Sequence, residues 1–158
     1  DKVGGFDEIL FAHMEEIDYH WKSQLLGYEV WVEPASVIYH QGAVTLPVSS
    51  PQKTYLNYRN SKILLLTNYP AGTSFYLFIP RFFMECISLT KEILTFKWGH
   101  ALAIIKSWIW ILSHIGEVSK RRDFLNCDNL KNPNLIFQKS IVVKYFIGGN
   151  RKYTQIKN

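Results

Sequence analysis

Between positions 8 and 26, Phe11, Met14, Ile17, Trp21 and Leu25 recur at steps of three and four. That spacing predicts a helix with this stripe turned inward. Gly27 falls where a C-terminal helix cap is expected. Residues 28–32 alternate and are rich in β-formers, which predicts a strand ended by Pro34, and residues 36–40 predict a second short one. Gly42, Pro47, Ser49, Ser50 and Pro51 mark residues 41–54 as a loop. A helical period returns over 54–66.

After the break at Pro70, Ala71 and Gly72, the character changes. Residues 75–79 are apolar, Pro80 and Arg81 interrupt, and 82–98 predict another helix. Residues 101–115 are almost wholly apolar apart from Lys106, Ser107, Ser113 and His114. Neither run supplies the roughly 20 uninterrupted apolar residues of a clean membrane span. Aromatic-rich helices with scattered cations suit a membrane surface or an intramolecular groove. Trp98, Trp108 and Trp110 fit either a core or an interfacial belt. The sequence from Asn126 onward is polar and irregular except for 141–147, and no internal repeat is visible.

The 158 residues make room for one modest core, and 47% hydrophobic with 15% aromatic residues excludes a disordered chain. A net charge of +5 points to an anionic partner: nucleic acid, phospholipid or a nucleotide sugar. Cys86 and Cys127 lie far apart without CxxC spacing, which argues against a disulfide framework or zinc site and for a reducing compartment. The chain opens at Asp1 straight into a dense motif, so a piece of a longer polypeptide is expected.

That motif is Gly4-Gly5-Phe6-Asp7-Glu8, followed by Met14-Glu15-Glu16-Ile17-Asp18-Tyr19-His20-Trp21-Lys22. Paired glycines let the backbone turn tightly and approach a ligand. A nearby carboxylate is able to take a proton from a hydroxyl. The plain alternative is a turn followed by an amphipathic helix with a solvated acidic face.

Taken in order, these elements, then Gly27-Tyr28, then Pro34-x-Ser36-x-x-x-His40, resemble the C-terminal signature of family 2 glycosyltransferases, bacterial rhamnosyltransferases in particular. The resemblance covers residues 1 to about 68. It implies an α/β fold, with the acceptor-side, C-terminal part of a GT-A domain over 1–68; the patterning beyond it predicts a mostly helical, aromatic-rich region over 69–158 suited to membrane association. It implies transfer, with inversion, of a sugar from a nucleotide-diphosphate donor to a cell-envelope glycan or lipid-linked acceptor. Glu16 would be the base, with Glu15 beside it. Gly4, Gly5, Phe6, Asp7, Trp21 and Lys22 would border the acceptor. His40, Arg59 and Asn60 would face the donor diphosphate, with His40 near a divalent Mg or Mn ion. The sequence departs from the pattern at Glu16, where Asp is commoner, and at Lys22, where Arg is usual.

Other features weigh against completeness or suggest different chemistry. No Asp-x-Asp occurs, and no βαβ nucleotide-binding unit is seen, so this piece is expected to be inactive alone. His13, Glu16 and His20 share a helical spacing suited to a metal, without the HExxH order. Lys120-Arg121-Arg122 reads as a solvated cluster. A rival class is a membrane-surface or scaffolding module resting on 75–115. A nucleic-acid binder is suggested by charge alone and is not expected. The expected location is the cytoplasm, peripheral on the membrane's cytoplasmic face.

Overall fold

A computed structural model of the protein describes residues 3–39, 47, 49–125, 141–149, 151, 152 and 155. A short 3-10 turn, Glu8–Leu10, leads into α1, Glu15–Leu25. Then follow α2, Pro51–Asn68, α3, Ala71–Leu94, α4, Trp98–Ser113, α5, Ile115–Leu125, and α6, Ile141–Phe146.

Local chemistry explains the ends of these helices. At the close of α1, Gly27 adopts φ 88°, its N–H donates to Gln24 O, and Tyr28 N–H donates to Ser23 O. This pair of bonds satisfies carbonyls that the last turn leaves free, and the left-handed position suits glycine. At the start of α2, Ser50 Oγ accepts from Lys53 N at 3.1 Å and Pro51 opens the first turn. The helix therefore begins three residues before the expected position 54.

The α/β expectation is overturned, because no strand occurs among the described residues and the fold is a helical bundle. Residues 28–39 lack ladder pairing despite their β-rich composition. Trp31 and Val32 are each 84% exposed. A strand is stable only with a neighbour to pair with and a face to bury, and the described chain supplies neither. The second expected strand ends at His40, which lies outside the described residues.

α2 is the central helix and packs against α4, α5, α3 and α1. Leu10, Ile63, Leu64, Ile111 and Val118 form the apolar core, flanked by Ile9, Met14, Leu66 and Trp110. α4 lies so close to the start of α2 that a Cβ on Gly99 would stand 2.9 Å from Pro51 Cγ. Beside it, Thr54 Oγ1 and His100 Nδ1 are 2.7 Å apart.

The polarity expected for the first helix is also reversed. Phe11 and Ile17 are exposed, whereas Asp18, Lys22 and Ser23 are buried. Met14, Trp21 and Leu25 are only half-buried. Periodicity located the helix but misplaced its inner face, because an ion-paired Asp18 wins the interior.

Candidate functional site

α3 is built inside out. Ser74, Arg81, Glu85, Ser88 and Glu92 recur at steps of three, four or seven on the side turned to the bundle. Glu85 is 2% exposed and is the hub of that side. Its Oε2 accepts from Lys62 Nζ at 2.6 Å and from Trp108 Nε1 at 2.5 Å, and its Oε1 accepts from Arg81 Nε at 2.8 Å. Lys62 Nζ also donates to Ser107 Oγ at 3.0 Å. Removal from water lowers the Lys62 pKa to about 8, a loss that the attraction of Glu85 only partly offsets. At neutral pH Lys62 therefore remains mainly cationic, and the pair holds α3 against α2.

The opposite side of α3 carries Phe75, Tyr76, Ile79, Phe83, Ile87 and Leu94, all exposed. Phe82 spans the two sides, 6.4 Å from the Phe78 ring and 5.4 Å from that of Trp108. Pro80 lies within the helix and is exposed. Phe96 and Trp98 after it are exposed too, as are Leu102, Ile109 and Leu112 of α4. A helix in water turns its apolar stripe inward and its charges outward; over residues 75–87, α3 does the reverse. Contiguous exposed apolar area of this kind marks a surface that meets a partner or a membrane.

The glycine-rich segment is held from α1 and α5, and the loop that leads to the acidic pair is held from α2. Gly4 and Gly5 adopt φ 80° and 68°, and Gly5 O accepts from Lys22 Nζ at 3.1 Å. Phe6 meets Tyr19 edge-on with centroids 5.5 Å apart. Asp7 caps the 3-10 turn through Ile9 N and accepts from Arg121 Nε at 2.8 Å. Phe11, His13 and Met14 all have positive φ, an uncommon state for residues with side chains. Asn60 Nδ2 donates to the carbonyls of Leu10, Ala12 and His13, and Arg59 Nη2 donates to those of Ile9 and Leu10. These bonds fix the loop that delivers Glu15 and Glu16 to the first turn of α1.

The residues singled out by sequence thus fall into separate environments. Glu16 is exposed, and Glu15 is half-buried with Oε2 lacking a hydrogen-bond partner. Lys22 is a buried link between Asp18 and Gly5, and Trp21 packs edge-on against Tyr69 at 4.7 Å. Arg59 and Asn60 are buried, with their donors directed at loop carbonyls.

His40 lies outside the described residues. His13 precedes α1 rather than sharing its face with Glu16 and His20. Among the described residues no group of His, Cys, Asp and Glu is placed to hold a metal. Nor is any single described helix long and apolar enough to cross a membrane. Trp98–Ser113 and Ile115–Leu125 reach that length and composition only together, across a 70° bend.

Comparison with family models, curated proteins and solved structures returns no match. No family is shown. With a helical bundle in place of an α/β sheet and no matching family, the resemblance to family 2 glycosyltransferases is not upheld.

Sequence reasoning missed the Glu85 hub. A signal was present: Arg81 and Glu85 are four residues apart inside an otherwise aromatic stretch, and paired charges there point to a buried ion pair. It also misread the basic cluster. Arg121 is buried, and Arg122 donates to Leu66 O at 2.7 Å, which leaves Lys120 as the exposed member.

Proposed function

We propose that this chain is a membrane-surface module that docks through the outward face of α3 and the adjoining turn into α4. The observation that carries this reading is the inverted polarity of α3, with Arg81 and Glu85 turned into the bundle and Phe75, Phe83 and Ile87 turned out. Charges paired inside a bundle and apolar groups outside it are the arrangement a hydrocarbon neighbour favours. Fully burying one such side chain contributes roughly 1.5–3 kcal/mol, so two or three side chains are enough for measurable binding.

Flotation with phospholipid vesicles tests it. The unaltered chain is expected to float, and Phe83→Ser combined with Ile87→Ser is expected to weaken binding at least tenfold while leaving the helical circular dichroism unchanged. Equal binding by the variant, or none by the unaltered chain, contradicts the reading.

A second reading rests on the loop before α1. We propose that Glu16 acts as a general base toward the hydroxyl of a bound acceptor. The support is its exposed carboxylate behind a loop with three positive-φ residues, held by Arg59 and Asn60. A membrane-docked module would suit a lipid-linked acceptor, whose hydroxyl must be reached at the bilayer surface.

A further inference from the structure

We infer that the turn joining α3 to α4 is the anchor of the docked face and that it selects anionic phospholipid, an inference that rests on the membrane reading above. The turn carries Leu94, Phe96 and Trp98 at 72%, 77% and 56% exposure. Phe96 sits at φ 57°, which reverses the chain within a few residues. Its ring meets that of Trp98 edge-on with centroids 6.4 Å apart. The backbone beneath is fixed: Thr95 N donates to Lys91 O at 2.9 Å and Lys97 N to Glu92 O at 2.9 Å. Thr95 Oγ1 donates to Lys91 O at 2.9 Å. The aromatic pair is thus presented by an ordered turn, so little conformational freedom is lost when it inserts.

Charge around the turn favours one class of lipid. Between residues 86 and 116 the charged side chains are Lys91, Lys97, Lys106 and Glu92, a net of +2 before the histidines are counted. Lys91 has a side chain 67% exposed, 3.3 Å from Glu92 Oε1, and Lys97 and Lys106 are exposed. An exposed pair such as Lys91 with Glu92 is weak and is easily exchanged for a phosphate contact. Tryptophan favours the headgroup level, where its indole ring lies half in hydrocarbon and half in water. Lysines flanking it then reach anionic headgroups, each raising affinity roughly fivefold.

Tryptophan emission and binding of the full chain are measured with phosphatidylcholine vesicles and with vesicles that also contain phosphatidylglycerol. Emission is expected to shift blue with the anionic vesicles, and Trp98→Phe to remove most of that shift while binding persists. Lys91→Gln combined with Lys97→Gln is expected to weaken binding to the anionic vesicles roughly 10–25-fold and to leave binding to phosphatidylcholine unchanged. Binding with a shift that survives Trp98→Phe, or equal affinity for both vesicles, overturns this inference while docking through α3 stands. An absence of binding to either vesicle overturns the docking reading as well.

Discussion

Asp18 on α1 and Arg121 on α5 lie 103 positions apart in the chain and meet in the interior, where Oδ1 of the carboxylate accepts from Nη2 of the guanidinium. Around this pair the same guanidinium reaches Asp7 Oδ2, Thr67 Oγ1 and Asn68 Oδ1. Asn68 Nδ2 returns a bond to Asp18 Oδ1 at 2.9 Å, and Lys22 Nζ stands 3.3 Å from Asp18 Oδ2. One arginine thus joins the glycine-rich turn, α1, the end of α2 and α5.

Removing one member of a buried ion pair leaves its partner charged and without compensation, at a cost of roughly 3–5 kcal/mol. Arg121→Met is expected to lower the unfolding free energy in urea by about that amount. Arg121→Lys is expected to recover little, because an ammonium lacks the planar fork that reaches several acceptors. A loss below about 1 kcal/mol would show that the network is not a structural tie.

Lys62 links stability to alkaline pH. Burial lowers its folded-state pKa to about 8, against an ordinary value of 10.5. Between those two values the unfolded chain binds more protons on this group, so its contribution to folding rises with pH across that window. Thermal melts of the unaltered protein and Lys62→Met, at neutral pH and at about pH 10, isolate the effect. The unaltered protein is expected to gain on the variant at the higher pH; a constant gap contradicts the assignment.

The helices were legible wherever local signals were strong. The helical period over 54–66 found α2, although Ser50 and Pro51, read as loop, cap and open it, and Gly27 closes α1 as its position in the sequence suggests. Three features were not legible, each for a physical reason. Alternation over 28–32 reads as a strand, yet pairing is a nonlocal event that propensity does not report. The stripe of Phe11 and Ile17 reads as core, but the interior face belongs to Asp18 and Lys22, whose partners lie far away in sequence. Pro80 reads as a break, whereas α3 continues through it while Arg81 and Glu85 fasten the next turn to the bundle.

Asn60 is expected to govern the order of the loop before α1. Asn60→Leu removes the donors to three loop carbonyls, at roughly 1–3 kcal/mol. Amide hydrogen exchange should then quicken over residues 9–14 more than in α4. Uniform acceleration throughout the bundle, or none, would contradict a local clamp.

For the reading of Glu16 as a base, Glu16→Gln preserves shape and removes basicity. Transfer to the hydroxyl of a lipid-linked acceptor is expected to fall by about two to four orders of magnitude. Glu15→Gln is expected to do less harm. Unchanged transfer in the Glu16 variant contradicts its role as base.

The central claim is that the outward face of α3 meets lipid. A carbene-generating photolabel confined to the bilayer interior, followed by mapping of the labelled residues, reads this face directly. Label is expected on Phe75, Phe83, Ile87, Phe96 and Trp98, with the buried core of α2 at Ile63 and Leu64 unlabelled. Labelling that avoids α3, or no labelling in the presence of anionic vesicles, would contradict the account.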